Sequence, residues 1–290
     1  MLPQGSVTAL VTPFNQGQIS FTCFENLLKY QLDNGTDGLL VAGTTGEAAT
    51  LSSQEYQDLL KTAVNYVDKK VPILAGTGSN STRKTIATTE MAAKLGADYA
   101  LVVTPYYNKP TARGQIEHYT KVAEKSPIPV ILYNVPSRTG TDMLPSTIAR
   151  LSEHPNIVAV KEASGSVAKG ADVIAAVSDD FYLYSGDDKL NYPLVALGAK
   201  GAVSVVSNVV PGLAHQALKQ ALACDPAAKD SYYKLLPLAH GLFIETNPAP
   251  AKKALQLKGI IKSDEVRLPL VEVTSVTETK LKAILRQLED

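Results

Sequence analysis

The sequence predicts an α/β protein, a (β/α)8 TIM barrel with a C-terminal helical extension. Three observations lead there. Eight short apolar runs recur along the chain, each apolar nearly throughout instead of alternating. That is the pattern of strands covered on both faces, and hence of a parallel sheet wrapped in helices. Between the runs lie helix-like stretches with capping signals. Most run starts stand about 28 residues apart, the length of one β-loop-α-loop unit.

The first run is Val7–Val11, which leads into Thr12-Pro13 with no glycine turn; the helix after it stops at Leu32 and Gly35. Leu39–Ala42 is the second run. Ser52 before Ser53-Gln54-Glu55 then reads as an N-cap with a glutamate three residues on. The third run is Val71–Ala75, followed by a helix that Ser81 opens over Thr82–Leu95 and Gly96 closes. Ala100–Val103, Val130–Tyr133, Ile157–Val160, Phe181–Tyr184 and Ala202–Val206 complete the eight. After Asn208 only helical signals remain, over Leu213–Ala223, Lys229–Phe243, Pro250–Leu257 and Thr277–Leu288. Pro211, Pro226 and the Asn247-Pro248-Ala249-Pro250 run punctuate them. The expected division is a barrel over 1–224 and an extension over 225–290. The competing fold, a doubly wound sheet, would carry GxGxxG after its first strand. The one partial match, Gly76-Thr77-Gly78-Ser79-Asn80-Ser81, follows the third run and lacks the last glycine.

Composition narrows the function. Of 290 residues, 45% are hydrophobic and 19% charged, below the usual ~25%, which suits a large core. Twenty-eight basic residues balance twenty-eight acidic ones. Without a global field, partners such as nucleic acid or a membrane surface are disfavoured, and near-zero charge slightly favours self-association. No stretch approaches the ~20 apolar residues of a membrane span, and the N-terminus lacks a secretory pattern, so a cytoplasmic location is expected. Cys23 and Cys224 form no CxxC pair and read as small buried hydrophobes.

In a barrel of this type the site lies at the C-terminal ends of the strands. Lys161 directly follows Ile157–Val160. A lysine at the end of a buried strand cannot easily reach solvent. Desolvation there favours the free amine, which attacks carbonyls. Pairing with Glu162 or another carboxylate is the other reading, and position alone leaves both open. Tyr133 ends the neighbouring strand, as a proton-transfer group or a packed aromatic. Thr44 and Thr45 lie between Gly43 and Gly46, in a turn able to hold a carboxylate or a hydroxyl, or in an ordinary turn. Arg138 follows Pro136-Ser137; its planar fork suits a carboxylate, though a surface arginine would read the same. His118, His154, His215 and His240 show no metal-ligand spacing, and Asp187-Asp188 reads as helix capping. This set of lysine, tyrosine, threonine and arginine fits Schiff-base carbon–carbon chemistry.

Gly43-Thr44-Thr45-Gly46-Glu47, Tyr133-Asn134-Val135-Pro136-Ser137-Arg138-Thr139-Gly140 and Lys161-Glu162-Ala163 together resemble the pyruvate-dependent class I aldolases. That superfamily holds N-acetylneuraminate lyase and 4-hydroxy-tetrahydrodipicolinate synthase. Thr104-Pro105-Tyr106-Tyr107, Ser185-Gly186-Asp187-Asp188 and Glu245-Thr246-Asn247-Pro248 extend the resemblance over essentially the whole chain. Gly-Thr-Thr-Gly-Glu and the arginine at 138 are closer to the synthases than to the lyases. The resemblance implies a lyase of lysine and diaminopimelate biosynthesis that condenses pyruvate with aspartate semialdehyde. Lys161 would form the Schiff base, and Tyr133, Thr45 and Tyr107 would relay protons with Thr44 in support. Arg138 would bind the semialdehyde carboxylate, and Gly186 and Val203 would line the site. It implies no metal, no dissociable cofactor, and a homo-oligomer, a tetramer, in which Tyr107 reaches the neighbouring subunit's site. A sugar-acid aldolase or lyase using the same lysine, and a catalytically silent barrel, are the competing functions. Many synthases of this kind bind lysine at a dimer interface. The matching positions here are Ala48, Ala49, Ser53, Tyr56, Asn80, Lys84 and Tyr106. Lys84 stands where lysine-sensitive members usually carry a glutamate, so weak or absent inhibition is expected.

Overall fold

The computed structural model describes residues 2–289. Its strands are β1 (Gly5–Ala9), β2 (Phe14–Asn15), β3 (Gln18–Ile19), β4 (Gly38–Val41), β5 (Ile73–Gly76), β6 (Tyr99–Val103), β7 (Val130–Asn134), β8 (Ile157–Glu162), β9 (Tyr182–Ser185) and β10 (Gly201–Ser204). β1 and β4 to β10 form a closed barrel, in which all neighbours run parallel. Each of the eight expected runs became one of these strands, shifted by a residue or two. The unanticipated β2–β3 hairpin is too short to leave a period in the sequence.

The helices are α1 (Phe21–Asp33), α2 (Ser53–Val67), α3 (Thr82–Lys94), α4 (Ala112–Lys125), α5 (Pro136–Thr139), α6 (Pro145–Ser152), α7 (Val167–Ala176), α8 (Asn191–Ala196), α9 (Val206–Val209), α10 (Pro211–Leu222), α11 (Ala228–Gly241), α12 (Ala249–Leu257) and α13 (Ser275–Glu289). The start signals act as read. Ser52 and Glu55 close a reciprocal capping box on α2, and Ser81 accepts from the Lys84 N–H at the start of α3. Asp187 accepts from the Lys189 N–H at a short 3-10 turn. Asp188 accepts from the N–H groups of Val205 and Val206 at 2.8 and 3.0 Å, capping α9. Cys23 is buried, but Cys224 is exposed. It falls past the end of α10 at φ +54, where the chain turns away from the core.

Because successive strand residues face opposite ways, period two sorts the core. Val7, Leu40, Leu74, Leu101, Ile131, Ala159 and Val203 fill the barrel interior. The intervening positions pack outward against the helices. Tyr133 therefore shares the inward face with Ile131, and Lys161 with Ala159, each two residues nearer the C-terminal mouth.

A charged cluster fastens the segment after α12 to this frame. Arg267 grips the carboxylate of Glu55 with both guanidinium nitrogens, and that hydrogen bonding holds the Glu55 carboxyl down to about 2. A carboxyl depressed in the folded state contributes stability fully above its unfolded pKa of 4.5, and loses it as pH falls toward 2. Glu55→Gln is expected to cost about 1–3 kcal/mol at pH 6. In urea titrations across pH, that difference should close below about pH 3. A difference constant with pH would mean that the charge is not what Arg267 holds.

Candidate active site

Strand pairing sets Tyr133 directly beside Lys161, at the mouth of the barrel. Both are buried. The Lys161 Nζ lies 4.3 Å from the centroid of the Tyr133 ring, within cation–π distance. Glu162, one residue on, faces away. Its carboxylate accepts from Asn134 Nδ2 at 2.9 Å and from the Ser164 N–H at 2.6 Å. Among the described residues Lys161 has no ion pair. The alternative reading of Lys161, as half of a salt bridge, is thereby removed. An unpaired, desolvated amine aimed into a barrel mouth is the arrangement a nucleophilic lysine needs.

Gly186 follows β9 and keeps space for that amine. A Cβ at this position would stand 3.0 Å from Lys161 Cε and 2.7 Å from Ala163 Cβ, too close for either to remain in place. Val203 is buried in the interior cluster on β10. It lies two positions beyond Gly201, which pairs with Tyr184, itself level with Lys161.

The turn after β4 carries the two threonines differently. Thr45 is buried, and its Oγ1 accepts a 2.9 Å hydrogen bond from Asn247 Nδ2. Thr44 is exposed, and its carbonyl accepts from the Glu47 N–H. Glu47 adopts a left-handed conformation, φ +54, immediately after the turn. Its fully buried carboxylate receives Lys252 Nζ at 2.5 Å and the Arg267 N–H at 2.9 Å. Lys252 also lies over the Phe14 ring, 4.1 Å from the centroid. Arg138 sits on α5 with its side chain exposed, and donates to the Asn247 carbonyl at 3.4 Å.

Asn247 thus touches both Thr45 and Arg138, and sequence reasoning missed it. The sequence places it in a helix-punctuating Asn-Pro-Ala-Pro run and in a motif of the family resemblance, and assigns it no role in the site. A polar residue inside a proline cluster facing the barrel mouth was the available signal. The Glu47–Lys252 pair was missed as well.

Tyr107 is 89% exposed, at φ +71 on the loop after β6, so it is not packed into the mouth of its own barrel. The candidate effector positions scatter. Ala49, Ser53 and Lys84 are exposed, Ala48 and Asn80 half-buried, and Tyr106 is 40% exposed. Tyr56 departs from the expectation. It falls on the stripe of α2 with Leu59, Leu60, Ala63 and Val67, and packs into the core. Its hydroxyl is sealed from solvent with no partner among the described residues, and burial raises its pKa. Among the described residues, no three His, Cys, Asp or Glu side chains are grouped to hold a metal ion.

A family model described as the dihydrodipicolinate synthetase family matches residues 2–288. The chain belongs to that family. The 4-hydroxy-tetrahydrodipicolinate synthase of Syntrophobacter fumaroxidans is 48% identical over 284 residues, which cover 98% of each chain. The solved dihydrodipicolinate synthase from Acinetobacter baumannii, chloride-inhibited and complexed with pyruvate, superposes with a TM-score of 0.97. It is 41% identical, with 99% of each chain covered. The synthase from Cyanidioschyzon merolae with lysine bound gives 0.95 at 40% identity, covering 99% of this chain and 98% of that one. Family membership selects the synthase reading over a sugar-acid aldolase and over a silent barrel.

Proposed function

We propose that the chain is a 4-hydroxy-tetrahydrodipicolinate synthase, condensing pyruvate with L-aspartate 4-semialdehyde through a Schiff base on Lys161. The observation that carries the reading is an unpaired, buried Lys161 amine beside Tyr133, in a chain 48% identical to a synthase along its length. The amine adds to the pyruvate ketone, and loss of water gives an iminium. Loss of a methyl proton then gives an enamine, with the protonated nitrogen as electron sink. The enamine carbon attacks the aldehyde, and the substrate amine displaces Lys161 as the ring closes.

Tyr133 and Thr45 move the protons, with Tyr107 supplied by a neighbouring subunit. The exposure of Tyr107 supports that last role, because a tyrosine so open is available to a second copy. The reading thus includes a homo-oligomer, a tetramer, working in the cytoplasm. Residues 1–224 are the catalytic barrel and 225–290 an extension that braces the Thr45 turn. Thr44 supports the same turn, while Gly186 and Val203 shape the pyruvate pocket. A coupled assay with pyruvate and aspartate semialdehyde tests the reaction. Borohydride in the presence of pyruvate should fix an adduct on the peptide that holds Lys161. A label on another lysine would overturn the assignment.

Arg138 is the semialdehyde clamp in this reading. A lost charge-assisted contact is worth roughly 1.5–3 kcal/mol, or about 10- to 150-fold. Arg138→Ala should therefore lower use of the semialdehyde by that factor and leave pyruvate trapping nearly intact. Equal loss in both assays would make Arg138 a structural residue.

Lysine is expected to inhibit weakly or not at all, because Lys84 would face an effector's ammonium with a like charge. A screened repulsion of about 2 kcal/mol is some 30-fold in affinity. Initial rates titrated with L-lysine at subsaturating pyruvate measure it. Strong inhibition below millimolar would refute the expectation, and a Lys84→Glu variant should gain sensitivity.

A further inference from the structure

Strand β8 carries one residue more than the ladder with β7 uses. Val130 pairs with Ile157, but the next pair is Ile131 with Ala159, so Val158 is an extra residue, a bulge. The bulge changes which way the side chains face. Ile157 packs outward with Val130, whereas Val158 and Ala159 both pack against the barrel interior. Beyond it the ladder is regular, with Tyr133 beside Lys161 and Asn134 beside Glu162. Paired without the bulge, Val158 would stand level with Ile131, and Lys161 with Asn134. Side chains alternate along a strand, so that slip of one residue would turn the Lys161 amine out of the mouth and Glu162 into it.

On the outer face, one residue past the reacting pair, the apolar lining of Leu132 and Val160 gives way to two buried polar side chains, Asn134 and Glu162. Asn134 Nδ2 donates to Glu162 Oε2 at 2.9 Å and to Asp142 Oδ1 at 2.8 Å, and its Oδ1 accepts from the Met143 N–H at 3.0 Å. Asp142 is paired in turn with Lys169. One amide thus ties β7 to β8 and to the loop after α5. We infer that Asn134 is a positioning residue: its contact with Glu162 locks the extra residue of β8 at Val158, and so keeps the Lys161 amine facing into the mouth beside Tyr133. A carboxylate buried behind a sheet is costly unless its oxygens are bonded. The Asn134 bond to Glu162 belongs to the bulged register alone. In the slipped register Asn134 stands level with Lys161, and Glu162 turns toward the open mouth. The inference rests on the synthase reading, in which Lys161 forms the Schiff base.

Asn134→Leu leaves the Glu162 carboxylate buried with the Ser164 N–H as its remaining donor, and so favours the register that brings Glu162 to the mouth. With borohydride and saturating pyruvate, the initial rate of adduct formation on Lys161, per folded chain, should fall about 10- to 150-fold, the range of one lost charge-assisted hydrogen bond. Adding Glu162→Leu removes the carboxylate that needed a partner, and should return trapping to within about threefold of the parent. Deleting Val158 acts differently. It removes the extra residue, so a regular ladder then sets Tyr133 beside Lys161 unaided. In the Asn134→Leu chain that deletion should also return trapping, although it restores no lost hydrogen bond.

A contact that served stability alone would lower the melting temperature of Asn134→Leu and leave trapping per folded chain at the parent's level. That result would overturn the inference, as would a trapping defect that survives both second changes. Should Asn134→Leu fail to fold, Asn134→Ser, whose single short hydroxyl cannot bridge two carboxylates, is read by the same criteria. Trapping of pyruvate by the parent keeps the two levels apart. If the parent is not trapped at Lys161, the Schiff-base reading fails; if it is trapped and the Asn134 variants are trapped as fast, only the register lock fails.

Discussion

Lys161→Ala is expected to lose condensation activity by a factor on the order of 10³ or more, with no adduct after borohydride and pyruvate. The remaining groups can bind and polarise a ketone, but none can become the electron sink for the enamine. The fold should not suffer. An amine held under 10% exposed with no ion pair is a cost to stability, not a support. The variant should melt at the same temperature as the parent or higher. Residual turnover above about one part in a hundred, at a purity that excludes parent enzyme, would place the nucleophile elsewhere.

The largest expected effect on stability lies at Lys252. Burial pushes its ammonium down to about 8, against the attraction of Glu47. Between there and the unfolded value of 10.5 the unfolded chain binds more protons, so this lysine's contribution to stability rises with pH over that window. Lys252→Met leaves the Glu47 carboxylate buried beside the Arg267 N–H alone. Breaking one side of such a pair costs about 3–5 kcal/mol. In a chain of this size that is roughly 10 °C of melting temperature. Replacing both partners, Glu47→Leu with Lys252→Met, should restore much of the loss, because neither member of the pair then leaves a buried charge unmatched. Calorimetry on the three variants measures this. A single variant as stable as the parent would show that water reaches the pair.

The barrel was legible because parallel strands covered on both faces must be apolar at almost every position, as Leu39–Ala42 and Val130–Tyr133 are. The starts of β1, β4 and β10 were read late because Gly5, Gly38 and Gly201 resemble turn residues. Strand ends were read early where polar residues stay in the ladder, as with Asn134 and Lys161-Glu162. Lys161 and Tyr133 could be placed together because both end neighbouring strands and the period is two. Lys252 could not be placed: in Ala249–Leu257 the Ala-Lys-Lys-Ala pattern looks like a solvated face, and its partner lies 205 residues away. Asn247 was hidden likewise, 202 residues from Thr45. Tyr56 misled because an effector position inferred by correspondence says nothing of the core stripe it shares with Leu59 and Leu60.

The span of 205 residues between Glu47 and Lys252 also governs when the enzyme comes into being. At roughly 5–20 residues per second, a ribosome that has made Glu47 needs about 10–40 s more to reach Lys252. Throughout that interval the nascent barrel carries an acidic side chain destined for its interior with nothing to neutralise it. The threonine turn is then fastened by its own backbone and by Thr12, whose hydroxyl donates to the Gly46 carbonyl at 2.7 Å. The amine and the tyrosine beside it can be in place early, while the turn opposite waits for the segment that carries Asn247 and Lys252 to dock.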